Sequence, residues 1–385
     1  MQQNIFFGID KLPNILNESN FSKLFIVTGA NSYKSLNFKD IIERLAIERV
    51  YFTDFTPNPK YEQICKGIDM FKSEGCDAIL VIGGGSPMDV AKCIKLALLA
   101  DEGINAIIPP MVNKNVVIDG NKIPFIAIPT TAGTGSESTH NAVMYYEGTK
   151  QTVTNDGILP EYAILEPSVL ETLPLYQKKC TMMDALCQGI ESWWSVNSTD
   201  ESKEYSKKAV ELIIQNWEKY IFGNDEVAAA NIMLGANYSG RAINLAQTTA
   251  AHAMSYKITS LYGLPHGHTV AVCLPEIWEY MVNNMDKCID HRGKEYLDYI
   301  FRQISLSMGC EDVMDAIGKF RNILLKCRIN MDGKGLDEEQ LYLLANSVNP
   351  IRLKNNPVQL KEYGICNIYK VIFSKKNTYT CPNNH

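Results

Sequence analysis

The chain has 385 residues, more than one hydrophobic core usually organises, so its length predicts two domains. Hydrophobic residues make up 46% and charged residues 21%, as in ordinary globular enzymes, and this composition excludes a disordered chain. A formal net charge of -6 with no long run of Lys or Arg opposes binding to nucleic acid or to an anionic membrane. We therefore expect neither partner.

Cysteine usage and the absence of long apolar runs predict the compartment. The eleven cysteines are scattered and form no C-x-x-C pair, which is typical of reduced cytosolic thiols rather than disulfides or a zinc knot. No secretory signal is visible, and no apolar run approaches the roughly 20 residues that span a bilayer. We expect a soluble cytoplasmic protein.

The first part of the chain alternates short β-type runs with helical patterns, as parallel sheets built from βαβ units do. A helical apolar pattern occupies 60–74. The β-type runs occupy 24–28, 50–52, 78–82 and 125–128.

The second part carries long amphipathic helical patterns, for example at 201–217 and 226–245. The alternation stops near Glu166. We predict an α/β domain with a parallel sheet over 1–167 and an all-helical domain over 168–385.

A glycine-rich turn, Gly83-Gly84-Gly85-Ser86-Pro87-Met88-Asp89, follows the strand predicted at 78–82 and opens a helix. Glycines let the backbone approach a ligand closely, and the free amides of a helix N-terminus suit a pyrophosphate. A tight strand-to-helix turn capped by Ser86 would read the same way. By itself the motif indicates only a phosphate near a helix start.

A second loop of small residues, Pro129-Thr130-Thr131-Ala132-Gly133-Thr134-Gly135-Ser136-Glu137, follows the next predicted strand. Loops that follow parallel strands emerge at the same edge of the sheet, where open α/β sheets bind ligands. The two loops together favour a nucleotide or dinucleotide site.

Three of the six histidines lie close together at positions 252, 266 and 268. A lone histidine on a helix is more often a satisfied core residue. Asp184, however, lies in an apolar helical segment, where an unpaired charge would be costly. One aspartate with two histidines is a reasonable ligand set for zinc or ferrous iron, with positions left open for a substrate oxygen.

Taken together, these motifs resemble the iron-containing, or group III, alcohol dehydrogenases, from the first strand to about Pro275. The resemblance implies a Rossmann-like N-terminal domain, an all-α C-terminal domain and an active site in the cleft between them. It also implies an NAD(P)-dependent oxidoreductase acting on CH-OH, with Fe²⁺ or Zn²⁺ as the metal. The implied metal ligands are Asp184, Gln188, His252 and His266.

The resemblance also implies where the cofactor binds. The segment from Gly83 contacts the pyrophosphate in the family, and the loop from Thr130 to Ser136 lies near the nicotinamide. The cofactor-binding residues expected here are Gly29, Asn31, Ser32, Asn58, Gly83, Gly84, Gly85, Ser86, Asp89, Thr130, Thr131, Thr134 and Ser136.

Cofactor choice is predicted by a departure from the family after the first strand. Many members carry an acidic residue there, which would hold the adenosine ribose. Gly29 removes the carboxylate that would repel a 2'-phosphate, and Asn31 and Ser32 can donate to one. This favours NADPH over NADH.

Two further departures concern the substrate. Gln188 stands where most members have a histidine ligand, and Tyr256 where many have another histidine. A glutamine oxygen coordinates more weakly than imidazole, although the related glycerol dehydrogenases manage with one aspartate and two histidines. Both departures, and the stretches 184–199 and 239–268, resemble the phosphonoacetaldehyde reductase branch, which reduces phosphonoacetaldehyde to 2-hydroxyethylphosphonate.

A phosphonate requires cations and neutral donors, although each Lys or Arg fits a solvated helix surface equally well. We expect Tyr256, or His268 through water, to relay the final proton. The expected substrate-binding residues are Arg241, Thr248, Thr249, Lys257, Ser195 and Asn197.

Alternatives remain for the reaction. The chain fits a general alcohol or polyol dehydrogenase of the same family, and it fits a dehydroquinate synthase-like lyase that uses NAD without net redox change. A cofactor-binding protein that lost its metal through Gln188 is a third reading. We expect the substrate to be a small anionic aldehyde. We expect the protein to form a homodimer.

Overall fold

The computed structural model describes residues 3–18, 21–109 and 123–374, and the chain folds into two compact units. The first unit contains Met1–Pro174 with Phe222–Gly240, and the second contains Leu175–Ile221 with Arg241–His385. The predicted division at residue 167 placed 222–240 in the helical domain, whereas the structure places this segment in the first unit.

Close packing explains why that segment belongs to the first unit. A Cβ atom added to Gly135 would lie 2.5 Å from the Cα atom of Gly240, so the two backbones touch. Nearby, the Asn237 amide donates to a Glu137 carboxylate oxygen at 2.9 Å. These contacts depend on residues about 100 positions apart, which a local helical pattern does not report.

The first unit is built on a six-stranded sheet in which every paired strand is parallel. Its strand order is β1-β8-β5-β4-β2-β3. The strands of the sheet are β1 Asn4–Phe7, β2 Lys23–Thr28, β3 Glu48–Phe52, β4 Ala78–Gly83, β5 Phe125–Pro129 and β8 Tyr162–Leu165. The central strands β4 and β5 are buried along their whole length, which is why they read as unbroken apolar runs.

Helices connect these strands. The helices before residue 100 are α1 Leu12–Glu18, α2 Ala30–Lys34, α3 Lys39–Glu43, α4 Tyr61–Ser73 and α5 Gly85–Leu99. The main core of the unit packs α4 and α5 against the sheet through apolar side chains such as Phe25, Ile79 and Ile94.

An antiparallel hairpin, not predicted from the sequence, joins β6 Asn141–Tyr146 to β7 Thr149–Thr154. Its two-residue turn places Glu147 and Gly148 at positive φ of 48° and 74°. Such a turn suits the twist of paired antiparallel strands. The mixed polar and apolar composition of these short strands explains why the pattern was not recognised.

Helices make up most of the remainder of the described chain. Its helices are α6 Leu175–Trp194, α7 Asp200–Phe222, α8 Glu226–Ala246, α9 Ala250–Tyr262, α10 His266–Asn283, α11 Lys294–Ser307, α12 Val313–Cys327, α13 Glu338–Asn346, α14 Pro350–Leu353 and α15 Glu362–Ser374. The four β-type runs, the helix at 60–74 and the helical patterns at 201–217 and 226–245 are therefore confirmed, and so is the fold class.

The cysteines and the helices of the described residues bear on two expectations from the sequence, reduced thiols and the absence of a membrane span. Every cysteine among them is a free thiol, in agreement with the scattered cysteine pattern. In the same ranges, none of the helices has both the length and the apolar character that crossing a bilayer requires.

Candidate functional site

The glycine-rich turn forms a strand-to-helix junction in the first unit. Gly83 ends β4, Gly84 is the N-cap residue of α5, and no side chain caps the helix. The alternative in which Ser86 caps the turn is therefore wrong. The backbone amide of Thr130 donates to the Gly83 carbonyl at 3.1 Å, so the second loop begins directly beside the first.

Threonine side chains of the second loop lie against the glycines of the first. A Cβ atom added to Gly84 would lie 3.2 Å from Oγ1 of Thr131, and one added to Gly85 would lie 3.4 Å from Cγ2 of Thr134. The structure thus brings Gly84, Gly85, Thr131 and Thr134 together at the carboxyl edge of the sheet, where a phosphate can meet free amides.

A buried lysine that the sequence analysis did not single out holds this second loop. Lys92 Nζ donates to the Ser136 carbonyl at 2.6 Å, to Thr139 Oγ1 at 2.9 Å and to the Asn141 carbonyl at 2.8 Å. It also donates to Ser136 Oγ at 3.1 Å. Ser136, expected to contact the cofactor, therefore anchors the loop through both of its oxygens.

Asp89 faces the hairpin side of α5. Burial raises the pKa of its carboxyl to about 7. The charge of Lys92 and a hydrogen bond from the Val143 backbone act in the opposite direction and lower that pKa. For Lys92, burial lowers the pKa to about 8, and Asp89 opposes that shift. These contacts give Asp89 a role in packing α5 against the hairpin.

The remaining predicted cofactor residues follow β2 or precede α4. Gly29 caps α2 without a side-chain bond, and Ser32 Oγ donates to the Gly29 carbonyl at 3.2 Å. Asn31 and Ser32 are exposed. Asn58 is an exposed turn residue with a positive φ of 58°. Their contact with a cofactor stays a prediction.

In the second unit, three helices bring one carboxylate and two imidazoles together. Asp184 lies in α6, His252 in the first turn of α9, and His266 begins α10. His252 Nε2 lies 3.5 Å and His266 Nε2 lies 3.9 Å from Asp184 Oδ1. The possible ligand atoms of all three lie within 4.8 Å of one another.

Two of these atoms are buried without a hydrogen bond. Asp184 Oδ1 and His252 Nε2 have no hydrogen-bond partner, and both side chains are almost fully buried. An unsatisfied buried polar atom is costly, and a cation between these atoms would remove the cost. His266 exposes 35% of its side chain, so one side of the cluster stays accessible.

The charge of the cluster also favours a cation. Burial would raise the pKa of Asp184, but His266 and His252 outweigh it and lower the pKa. Burial would lower the pKa of His252, but Glu191 and Asp184 raise it to about 9. Two buried carboxylates thus flank one imidazole, and their excess negative charge is what a divalent cation neutralises.

Glu191 is the residue of this cluster that the sequence analysis missed. It is fully buried on α6, and its Oε2 accepts a hydrogen bond from His252 Nδ1. Its Oε1 accepts from the Thr249 hydroxyl at 2.7 Å and from the Ala251 amide at 2.9 Å. The spacing of seven residues from Asp184, two turns along one helix face, was the available signal.

Gln188 lies between these carboxylates on α6. Its Nε2 donates to Asp184 Oδ2 at 3.3 Å, which leaves Oδ1 directed toward the histidines. This contact places the amide nitrogen, rather than the oxygen, against the aspartate. Coordination of a metal by Gln188 stays a prediction.

Tyr256 and Arg352 extend the cluster. The Tyr256 ring lies parallel to that of His266 with centroids 5.4 Å apart, and Arg352 Cζ lies 5.2 Å from the Tyr256 centroid. Burial raises the pKa of Tyr256, although the charge of Arg352 opposes this. Arg352 is about 100 residues from Tyr256 in sequence, and no local pattern connects the two.

His268 is engaged at both ring nitrogens. Its Nδ1 lies 2.9 Å from the Tyr176 hydroxyl and its Nε2 lies 2.8 Å from the Asn330 carbonyl. Burial is the largest cause that lowers its pKa. A neutral imidazole that donates from Nε2 and accepts at Nδ1 satisfies both contacts, so His268 joins neighbouring segments.

Three of the six predicted substrate residues make structural hydrogen bonds. Ser195 Oγ donates to the Ala246 carbonyl at 2.7 Å, and Asn197 Nδ2 donates to Asn355 Oδ1 at 2.9 Å. Asn355 also donates to the Thr248 carbonyl at 3.2 Å. These contacts support turns and helix ends.

The other three predicted substrate residues differ among themselves. Thr249 is fully buried, and its hydroxyl donates to Glu191 Oε1. Arg241 lies over the ring of Tyr205, with 5.6 Å from Cζ to the centroid, and its buried Nε has no hydrogen bond. Lys257 is half-buried on α9. Substrate contact by these residues stays a prediction.

Comparison with known proteins reveals two family matches that together cover most of the chain. Residues 3–167 match the family described as iron-containing alcohol dehydrogenase, and residues 179–373 match the C-terminal region of the same family. The chain belongs to the iron-containing alcohol dehydrogenases. It is therefore an NAD(P)-dependent oxidoreductase that acts on CH-OH groups.

Individual relatives of this alcohol dehydrogenase differ in substrate. The NAD-dependent methanol dehydrogenase of Bacillus methanolicus is 27% identical over 363 residues, which cover 91% of this chain and 92% of that protein. The phosphonoacetaldehyde reductase of Streptomyces viridochromogenes is 32% identical over 298 residues, covering 74% and 73%.

A solved structure supports the same family. The sulfoacetaldehyde reductase of Bifidobacterium kashiwanohense in complex with NAD+ superimposes with a TM-score of 0.86 at 25% identity. The match covers 97% of this alcohol dehydrogenase and 98% of that chain. The family name includes a metal, and the unsatisfied Asp184 and His252 atoms fit one.

Proposed function

We propose that this alcohol dehydrogenase reduces phosphonoacetaldehyde to 2-hydroxyethylphosphonate. The observation that carries the catalytic part is the convergence of Asp184, His252 and His266, with two buried ligand atoms that lack hydrogen bonds. These three side chains would hold a divalent cation. The exposed side of His266 leaves room for a substrate oxygen.

When bound, the cation supplies a Lewis acid for a carbonyl oxygen, and the reduced nicotinamide supplies a hydride. The protein must then orient the aldehyde and deliver one proton to the oxygen of the product. Aldehyde, hydride and proton together give the primary alcohol, so the reaction balances.

Tyr256 is the proposed proton donor. Its ring stacks on His266, so its side chain belongs to the same cluster as the three proposed ligands. Burial favours the protonated phenol. His268 is the weaker choice, because a proton transfer from it would break its contact with Tyr176 or Asn330.

The preference for an anionic aldehyde is supported by Arg352. Its guanidinium is half-buried over the ring of Tyr256, and that ring also stacks on the proposed ligand His266. Guanidinium groups bind phosphonate and sulfonate oxygens through paired hydrogen bonds. Two of the relatives described above are named for aldehydes that carry such a group.

NADPH is the proposed cofactor. Asn31 and Ser32 lie exposed after β2 and carry no negative charge that would repel a 2'-phosphate. The relative structure in complex with NAD+ favours the other dinucleotide, so the two must be compared directly.

Ferrous iron or zinc is the proposed metal. Two imidazoles and one carboxylate suit either ion. The contact between Gln188 Nε2 and Asp184 Oδ2 supports a role for Gln188 in orienting the aspartate, while Asp184, His252 and His266 would hold the ion. A rotated Gln188 amide would offer its oxygen to the metal instead.

A general alcohol dehydrogenase is the second candidate. The methanol dehydrogenase covers more of this chain than the phosphonoacetaldehyde reductase does, 91% against 74%, although at lower identity. Under this alternative Arg352 only packs on Tyr256, and simple alcohols are oxidised rapidly.

The test measures oxidation of NADPH and of NADH by protein loaded with Fe²⁺, Zn²⁺, Mn²⁺ or no metal. Phosphonoacetaldehyde is compared with propanal and glyceraldehyde. We expect metal-dependent activity, the highest kcat/KM for phosphonoacetaldehyde, and a preference for NADPH. The variant Arg352→Met should raise KM for phosphonoacetaldehyde about tenfold or more, the loss expected for a charge-assisted hydrogen bond, and leave propanal unchanged.

A different result would refute each part of the proposal. Equal kcat/KM for the three aldehydes under every metal would refute the substrate, and dependence on NADH alone would refute the cofactor. Consumption of no reduced nicotinamide with any aldehyde would refute reductase activity altogether.

A further inference from the structure

Glu191 is not one of the proposed metal ligands, yet its carboxylate accepts several hydrogen bonds. It is fully buried on α6, and its two carboxylate oxygens contact different groups. Oε2 accepts from a side chain, His252 Nδ1, whereas Oε1 is directed at the start of α9. The two oxygens therefore stabilise different parts of the molecule.

Oε1 caps α9 from another helix. The backbone amides of Thr249 and Ala251 donate to it at 3.1 and 2.9 Å, and that of His252 at 3.4 Å. The first amides of a helix have no partner within the helix, and the N-cap residue Thr249 makes no side-chain cap bond to α9. Instead its hydroxyl donates to Glu191 and accepts from Trp194 Nε1 at 2.9 Å.

Oε2 determines which nitrogen of His252 carries the proton. A carboxylate only accepts, so Nδ1 must be the protonated nitrogen. When His252 is neutral, Nε2 then has a free lone pair, and this atom lies 3.5 Å from Asp184 Oδ1 without a hydrogen bond. That tautomer is the one that can bind a metal through Nε2.

We propose that Glu191 is a positioning residue for the metal site. One carboxylate caps α9 and also fixes the tautomer and ring orientation of His252, the third residue of that helix. The start of the helix and the direction of the ligand are thereby set by the same group. The inference rests on the cation site of the proposed function.

The variant Glu191→Gln separates the two roles. Its amide oxygen can still accept from the α9 amides, but its NH₂ group can only donate toward His252 Nδ1. The imidazole must then carry its proton on Nε2, which blocks coordination, or rotate. We expect the affinity for Zn²⁺ and Co²⁺ to fall about 10–100-fold, with a small change in melting temperature.

The matched control is Thr249→Val. It removes one hydrogen bond to Glu191 Oε1 and one from Trp194, and leaves the contact with His252 intact. We expect a lower melting temperature with metal affinity within about threefold of the wild type, since no contact of the ligand itself is lost.

Two measurements read the positioning role directly. Titration of metal-free protein with Zn²⁺ against a competing chelator gives the affinity. Nitrogen chemical shifts of labelled histidines, recorded at a pH at which His252 is neutral, report its tautomer, which a purely structural cap would not change. The inference predicts Nδ1-H in the wild type and in Thr249→Val, and Nε2-H in Glu191→Gln.

Parallel losses of stability and metal affinity in both variants, with an unchanged tautomer, would show that Glu191 is only a helix cap and overturn the inference. A wild type that binds neither Zn²⁺ nor Co²⁺ would overturn the inference together with the proposed metal. If the wild type binds metal but does not prefer phosphonoacetaldehyde, the substrate assignment fails, and the shifted tautomer of Glu191→Gln still supports the role of Glu191.

Discussion

Gly267 offers a sharp test of how the proposed ligands are held together. It lies in the first turn of α10, between His266 and His268, and packs against the backbone of α6. A Cβ atom added to Gly267 would lie 2.0 Å from the Cys180 carbonyl oxygen and 2.9 Å from Asp184 Cβ. Ordinary contacts of this kind are about 3.5 Å or more, so the variant Gly267→Ala must separate α10 from α6 by more than about 1 Å.

The displacement acts on the adjacent ligand. Overpacking in a core costs about 1–3 kcal/mol, so the variant should lower the free energy of unfolding by that amount. Metal–ligand distances tolerate shifts of only about 0.2 Å. Because His266 precedes Gly267 and approaches Asp184 from α10, we expect Zn²⁺ affinity to fall at least about tenfold.

The assay combines thermal denaturation of the metal-free protein with Zn²⁺ titration against a chelator. The matched control is Gly318→Ala in α12, where an added Cβ atom meets no heavy atom within 4 Å. Alanine is the better helix former by about 0.8–1.0 kcal/mol, so this variant should be slightly more stable with unchanged metal affinity. Gly267→Ala with wild-type stability and Zn²⁺ affinity would refute the reasoning.

Three further variants test other parts of the molecule. Lys92→Met leaves the acceptors at Ser136, Thr139 and Asn141 without their buried donor. We therefore expect the free energy of unfolding to fall by at least about 3 kcal/mol. NADPH binding, followed by fluorescence titration, should weaken, and Zn²⁺ affinity should stay unchanged. Tyr256→Phe should lower kcat about 100-fold or more at unchanged Zn²⁺ affinity if the phenol donates the proton, and a wild-type kcat would exclude that role. Tyr176→Phe removes the partner of His268 Nδ1 and should cost about 1 kcal/mol in stability without changing kcat, whereas a large fall in kcat would assign the proton transfer to His268.

Local sequence patterns predicted much of the framework. The buried strands β4 and β5 are unbroken apolar runs, and α4 shows helical spacing, because side-chain periodicity reports which face of an element is covered. The edge strand β1 and its neighbour β8 were missed, since four residues are too few to show a period. The β6–β7 hairpin was missed because its strands mix polar and apolar residues.

Some site residues could be recognised from the sequence, and the roles of others could not. Asp184 was recognisable because a carboxylate in an apolar helix needs a partner, and the proposed histidines were recognisable by their concentration and by the family resemblance. Their convergence within 4.8 Å agrees with that expectation. Ser195 and Asn197 were chosen as neutral donors in the stretch 184–199 that carries the family resemblance, and both support turns or helix ends.

The sequence by itself thus determined the fold class, the family and the chemical types that converge in the site. Only the tertiary structure decided that Glu191, 61 residues before His252, caps α9 and accepts from the imidazole, or that Lys92 holds a loop 44 residues away. The physical reason is that a hydrogen bond between distant segments depends on the packing of whole helices and loops. No pattern of neighbouring residues encodes that packing.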